Sequence, residues 1–126
     1  MDYVTLGRTE IKVCKNGFGA LPIQRISFDS AKEILLHAYN SGINFFDTAR
    51  FYTDSEEKIG YQLWDVCDKI YIATKTAAQN ADDFRKDLNT SLNNMKTDYI
   101  DIDQSHNPSF CPKPNDGTGL YEAMLE

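Results

Sequence analysis

Residues 43–76, INFFDTARFYTDSEEKIGYQLWDVCDKIYIATKT, decide the fold of this chain. The apolar runs at 43–49 and 70–76 each predict a buried strand, and the segment 55–67 between them predicts a helix. Two strands joined through a helix form a parallel βαβ unit. The sequence therefore predicts an α/β fold built on a parallel sheet.

The same unit repeats on both sides of this segment. Further strands are predicted at 17–21 and 99–106, further helices at 27–42 and 80–95, an N-terminal β-hairpin at 3–14, and the start of a helix at 120–126. Comparable points of successive units, at residues 19, 47, 75 and 106, recur about every 30 positions, close to the roughly 31 residues that each unit of an eight-unit barrel occupies.

This period predicts about four of the eight units of a TIM-type (β/α)8 barrel, preceded by the hairpin. Residues 1–126 are accordingly expected to form one partial barrel domain, the N-terminal half of the barrel. A doubly wound sheet is the alternative architecture. That fold usually carries a GxGxxG turn after its first strand, and the chain offers only Gly17-Phe18-Gly19 there.

Composition narrows the classes of function. The net charge is -6, and no cluster of lysine and arginine reverses it locally, which argues against a nucleic-acid partner. No apolar run approaches the roughly 20 residues of a membrane helix. Three widely spaced cysteines, Cys14, Cys67 and Cys111, predict free thiols in a reducing cytoplasm, with neither a metal site nor a disulfide framework.

A polar residue ends each of three successive predicted strands. Asp47, Lys75 and His106 take these positions, and Tyr52 lies on the loop directly after Asp47. Because parallel βα units bring their strand ends to one face, where barrels carry their active sites, these four side chains are expected to converge.

The four groups suit proton transfer to a developing alkoxide. A free tyrosine keeps its proton up to a pH of about 10, and a neighbouring ammonium favours the phenolate that is left after donation. Lys75 can supply that ammonium, Asp47 can hold it, and His106 can orient a carbonyl oxygen. Such a site supplies a proton but no electrons, so a reduction needs a hydride carrier such as a nicotinamide.

Each residue also has a plainer interpretation when it is taken alone. Asp47 can be a strand-ending cap, Lys75 a solvated strand terminus, His106 a loop residue, and Tyr52 a packing residue. The segment SEEK at 55–58 is interpreted as an ordinary solvated helix turn.

A barrel enzyme acting on sugar phosphates without a nicotinamide is a further possibility for the function, but no motif supports it.

Three segments carry a family resemblance. NFFDTARFYTDSEEKIG at 44–60, IYIATKT at 70–76 and DYIDIDQSHNP at 98–108 resemble the signature segments of the aldo-keto reductases. VTLGRTEIKV at 4–13 and NGFGALPI at 16–23 resemble that family's N-terminal hairpin and first barrel strand. The likeness is collinear and covers essentially the whole chain.

The resemblance implies roles for particular residues. Tyr52 would be the general acid, Lys75 would assist it, Asp47 would pair with Lys75, and His106 would bind and orient the substrate carbonyl. It further implies NADP(H), or NAD(H), as hydride source and an aldehyde or ketone as substrate. Gly19, Ala20 and Asp47 match positions near the nicotinamide end of the cofactor.

Three departures from the family pattern are expected to matter. Glu10 stands in the hairpin turn where the family usually has glycine, which predicts strain if that position needs positive φ. Asp103 and Ser105 replace bulky apolar residues, and we expect the layer beneath the helices to be partly open to water; the alternative is that this strand is destabilised. Lastly, the chain is less than half a complete member, so cofactor binding and activity by the chain alone are expected to be weak or absent.

The alternative hypothesis is a non-catalytic half-barrel that self-associates through its sheet edges or complements a second chain.

Overall fold

A computed structural model describes all residues, 1–126. The six strands are β1 (Tyr3–Thr5), β2 (Lys12–Cys14), β3 (Phe18–Gly19), β4 (Phe45–Asp47), β5 (Tyr71–Thr76) and β6 (Ile102–Ser105). The four α-helices are α1 (Phe28–Asn40), α2 (Ser55–Leu63), α3 (Ala81–Met95) and α4 (Leu120–Ala123). Short 3₁₀ helices cover Leu21–Arg25 and Trp64–Lys69.

Four of the strands form one parallel sheet in the order β3-β4-β5-β6. Gly19 lies opposite Asp47, Asp47 opposite Ala73, and Lys75 opposite Gln104. The first two strands form a separate antiparallel hairpin, in which Val4 faces Val13. The predicted α/β fold of parallel βα units behind a hairpin is therefore confirmed.

The main core lies between this sheet and the helices α1 and α2. Its fully buried members include Phe46 from β4, Leu35 from α1 and Ile59 from α2. Burying a side chain of this size contributes about 1.5 to 3 kcal/mol. This packing fixes the strand ends relative to one another. None of the helices is long and apolar enough to cross a lipid bilayer.

Helices α2 and α3 approach each other closely at Gly60. A Cβ built there would lie 2.3 Å from the main-chain oxygen of Asn94 and 2.4 Å from the Cα of Met95. Only glycine allows this distance, which brings the middle of α2 against the last turn of α3.

Several predicted boundaries were wrong. The strand predicted at 17–21 stops at Gly19, because Pro22 begins the 3₁₀ turn. The strand predicted at 99–106 starts at Ile102, because the Asp101 side chain, rather than its main chain, accepts the hydrogen bond from the Ile72 N–H at 2.8 Å. The helix predicted at 55–67 ends at Leu63 and continues as a 3₁₀ turn.

The strain predicted in the hairpin turn is present. Glu10 adopts φ 63°, in the left-handed region that favours glycine. A residue with a Cβ costs roughly 1 to 2 kcal/mol in this conformation. The hairpin forms despite this cost, since Leu6 N–H donates to the Ile11 carbonyl at 2.9 Å and closes the turn.

Candidate active site

The carboxyl ends of β4, β5 and β6 form one rim of the sheet. Asp47 is the last residue of β4, Lys75 is the last but one of β5, and His106 follows β6 directly. Lys75 was expected to end its strand, but β5 continues to Thr76. The main-chain N–H of His106 donates to the carbonyl of Thr76 at 2.7 Å, which extends the pairing and fixes the histidine at the rim.

Asp47 and Lys75 form a close ion pair. The Lys75 Nζ lies 2.7 Å from each Asp47 carboxylate oxygen and 2.8 Å from the carbonyl oxygen of Thr48. These contacts use all three ammonium donors. The side chain of Lys75 is 16% exposed and that of Asp47 is 35% exposed, so the charges are fixed in position while one side stays open.

Tyr52 lies beside this ion pair. Its main-chain N–H donates to the Ala49 carbonyl, and its own carbonyl accepts from Ser55, which makes a tight turn leading into α2. The Lys75 Nζ is 5.6 Å from the centroid of the Tyr52 ring. The Tyr52 and His106 ring centroids are 5.7 Å apart, with the ring planes at 86°. The structure thus places all four predicted residues in one cluster.

The imidazole of His106 is held from two sides. The Tyr52 ring contacts one side, and the ring of Phe51 lies 6.0 Å from the imidazole, centroid to centroid. The Nδ1 atom is buried and has no hydrogen-bond partner. An unpaired buried polar atom costs about 1 to 3 kcal/mol, so the Nδ1 atom of His106 does not stabilise the fold.

A cavity of about 280 Å³ opens beside His106. It lies between the segments that follow β5 and β6. Its lining includes Thr76, Gln79, Ser105, Asn107 and Phe110. Its mixed polar and aromatic lining and its small volume suit a small polar molecule.

The two remaining predicted cofactor residues lie next to Asp47. Gly19 pairs with Asp47 in the sheet, and a Cβ built on Gly19 would meet no atom within 4 Å. The space beside Gly19 is therefore open, next to the partly exposed Asp47 with which it pairs. Ala20 is fully buried in the main core, and its N–H donates to the Asp47 carbonyl at 2.8 Å.

A buried charge network behind the site was missed, and the interpretation of residues 55–58 as solvated was wrong. The side chains of Glu56 and Lys58 are each 1% exposed. The Lys58 ammonium donates to the carbonyls of Ile23 and Ile26 and to Asp54. Because these carbonyls belong to the connection after β3, Lys58 ties that connection to α2.

Glu56 is satisfied by four donors. Its carboxylate pairs with the Arg50 guanidinium and accepts hydrogen bonds from Thr74 at 2.7 Å, Ser91 at 2.7 Å and Asn94 at 3.1 Å. A signal for this was present in the sequence. Ser91 lies on the buried stripe of α3, where a lone small polar residue indicates a polar partner beneath it.

Asp103 lies near this network on β6. Its Oδ1 atom is buried without a partner, contrary to the expectation of an open layer at this atom. Burial, with a smaller contribution from the nearby carboxylates of Glu56 and Asp87, raises the pKa of Asp103 to about 6, although the main-chain N–H of Gln104 opposes the shift. Burial likewise raises the pKa of Asp101, against the hydrogen bond from Ile72.

Comparisons with known proteins show which family pattern and which relatives this chain resembles. The sequence pattern of the Aldo/keto reductase family matches residues 15–124. The L-galactose dehydrogenase of Arabidopsis thaliana is 36% identical over 83% of this chain and 38% of its own length. The methylglyoxal reductase DkgB of Yersinia pestis is 31% identical over 87% of this chain and 40% of its own length.

A solved structure has a similar fold over this part of its chain. A thermostable aldo-keto reductase, crystallised with the inhibitor epalrestat, superposes with a TM-score of 0.85 at 28% identity. The match covers 99% of this chain and 48% of that protein. The chain therefore spans about two fifths of the curated relatives named above and about half of this solved structure.

Proposed function

The chain belongs to the aldo/keto reductase family, and on that premise we propose that it carries the acid–base site of a carbonyl reductase. The reaction reduces an aldehyde or ketone to an alcohol. The observation that supports this most strongly is the Asp47–Lys75 ion pair at the strand ends, with Tyr52 and His106 in contact beside it. The two curated relatives named above, one a dehydrogenase and one a reductase, represent the two directions of such a conversion.

Tyr52 is the proton donor in this proposal. Its hydroxyl proton goes to the carbonyl oxygen as the carbonyl carbon gains a hydride, so one hydride and one proton complete the alcohol. The Lys75 ammonium, close to the ring, stabilises the phenolate that remains. Since its three donors are already used, Lys75 acts on Tyr52 through its charge. A positioned acid of this kind contributes about 10² to 10⁴-fold in rate.

His106 and Asp47 complete the site. The His106 imidazole donates a hydrogen bond to the substrate carbonyl oxygen and orients it toward Tyr52. The cavity beside His106 takes the rest of the substrate. Asp47 holds Lys75 at its place and keeps it charged, because a close carboxylate favours the ammonium form.

NADP(H), or NAD(H), supplies the hydride when it is bound. Gly19 and Asp47 would hold its nicotinamide end, and the open space at Gly19 supports this assignment. Ala20, being buried, would contribute through its main chain, which fixes Asp47. We propose that the chain alone binds the cofactor weakly or not at all, as it spans about two fifths of its curated relatives.

We also propose a cytoplasmic location. Cys14, Cys67 and Cys111 are free thiols, which suits a reducing compartment. A fluorescent fusion seen only in an oxidising compartment would contradict this.

A second candidate function has its own support. β3 pairs only with β4, and β6 only with β5, so both sheet edges carry unpaired main-chain groups. As this alternative we propose a non-catalytic half-barrel in which a second copy, related by a twofold axis along the strands, places each β6 beside its partner's β3. Eight strands would then close a barrel. Analytical ultracentrifugation should show a dimer, and a monomer at all concentrations would contradict this candidate.

Complementation tests the reductase proposal. The chain is coexpressed with the part of the thermostable aldo-keto reductase that it does not cover, and NADPH consumption is followed with small aldehydes. We expect turnover that falls about 10² to 10⁴-fold in Tyr52→Phe but is unchanged in Tyr99→Phe, since Tyr99 is exposed and donates to Cys67 away from the site. Equal turnover in wild type and Tyr52→Phe would refute the proposal.

A further inference from the structure

We propose that Arg50 is a positioning residue, whose ion pair with the buried Glu56 holds residues 48–54 and so keeps the Tyr52 ring against His106. That this placement of the Tyr52 ring serves proton donation rests on the proposed function. The placement itself can be measured without turnover.

Glu56 is the fixed end of this contact. It is 1% exposed, and its three neutral donors, Thr74, Ser91 and Asn94, come from β5 and α3. Strand and helix therefore hold the carboxylate at one place relative to the sheet. Arg50 is the only cation that it contacts.

Arg50 transmits this fixed position to the loop. Its side chain is 22% exposed, and its main-chain N–H donates to the carbonyl of Lys75 at 3.0 Å. Arg50 is thus attached at both its side chain and its main chain. Tyr52 follows two residues later, and its N–H donates to Ala49, so a movement of Arg50 moves the turn that carries the ring.

The segment needs such an attachment because it is strained. Thr53, directly after Tyr52, has φ 41°, in the left-handed region that is unfavourable for a β-branched residue. Its hydroxyl makes only long contacts, 3.3 Å to Gln24 and 3.4 Å to Asp54. The turn can therefore relax unless other contacts hold it. Two ion pairs do so: Asp54–Lys58 attaches the end of the segment to α2, and Arg50–Glu56 attaches its middle to the carboxylate that β5 and α3 hold.

A purely structural role would be to neutralise a buried carboxylate. Removing Arg50 alone leaves that buried charge unpaired, which is strongly destabilising. The double variant Arg50→Met with Glu56→Gln removes both charges and avoids this penalty. It separates the two roles, because we expect it to fold while it lacks the attachment.

The readout is the ring-current shift that Tyr52 imposes on the His106 ring protons, measured by NMR on labelled protein. Tyr52→Leu defines the shift without this ring. We expect the double variant to lose more than half of the Tyr52-dependent shift while the hairpin signals stay unchanged. Arg50→Lys, which keeps the charge, should retain most of it. The control Arg85→Met removes an exposed ion pair with Glu126 at 2.6 Å and should retain all of it.

Two results would overturn the proposal. One is a folded double variant with the full Tyr52-dependent shift. The other is a double variant that fails to fold, which would show that the pair serves the fold itself. Absence of reductase turnover leaves this experiment unaffected, since it uses neither cofactor nor substrate, so the two proposals fail separately.

Discussion

Replacing Asp103 by asparagine should stabilise the protein at neutral pH. The Asp103 carboxyl has a buried oxygen without a hydrogen-bond partner, and the carboxylates of Glu56 and Asp87 lie nearby. Burial is the main cause and these charges are a smaller one; together they raise the pKa of Asp103 from the ordinary 3.8 to about 6. The folded protein therefore binds this proton more tightly than the unfolded chain does.

The sign and size of the effect follow from linkage. The stabilising contribution of the protonated carboxyl is fully present below a pH of about 4 and is lost as the pH rises through about 6. A shift of this size corresponds to at most about 3 kcal/mol, at about 1.4 kcal/mol for each pH unit. Because Asp103 is partly exposed, solvent screening reduces the expected loss to about 1 to 2 kcal/mol.

Urea denaturation followed by circular dichroism measures this difference. Asp103→Asn cannot ionise, so we expect it to exceed wild type by about 1 to 2 kcal/mol at pH 7 and to differ little at pH 4. The control Asp98→Asn removes an exposed aspartate just before β6 and should match wild type at both pH values. A difference of the same size at both pH values, or none at pH 7, would refute the reasoning.

Three further substitutions test the strained and crowded positions. Glu10→Gly should raise the unfolding free energy by about 0.5 to 1 kcal/mol by thermal denaturation, because glycine accepts φ 63° without strain; a loss of stability would contradict this. Thr53→Gly should stabilise by a similar amount of about 0.5 to 1 kcal/mol for the same reason, at φ 41°, and an unchanged midpoint would count against it. Gly60→Ala should destabilise by about 3 kcal/mol or more in urea, since its Cβ would meet α3 at 2.3 Å, and wild-type stability would show that the helices move apart freely.

The sequence was sufficient to predict the sheet and the four rim residues, because both depend on local patterns. Apolar runs such as 70–76 mark buried strands whatever packs on them, and a parallel sheet brings Asp47, Lys75 and His106 together once the strands are known. The sequence also predicts that Tyr52 joins them, because this residue lies in the loop directly after Asp47.

The failures concern residues whose state depends on distant partners. Glu56 and Lys58 look solvated in their own helix, and only Thr74, Ser91 and the carbonyls of Ile23 and Ile26 make their burial possible. Ile34 shows the reverse case. In the sequence, Ala31, Ile34, Leu35 and Ala38 have the spacing of one apolar helix face, which predicts that all four are buried. The other three are buried, but Ile34 is 44% exposed.

The reductase account depends on Tyr52 and Lys75 working as one unit, and a double-mutant cycle in the complemented enzyme measures this. Turnover is compared among wild type, Tyr52→Phe, Lys75→Met and the double variant. The account predicts that the double variant loses no more turnover than Tyr52→Phe alone, since Lys75 acts through the tyrosine. Losses that multiply, as for independent residues, would contradict it.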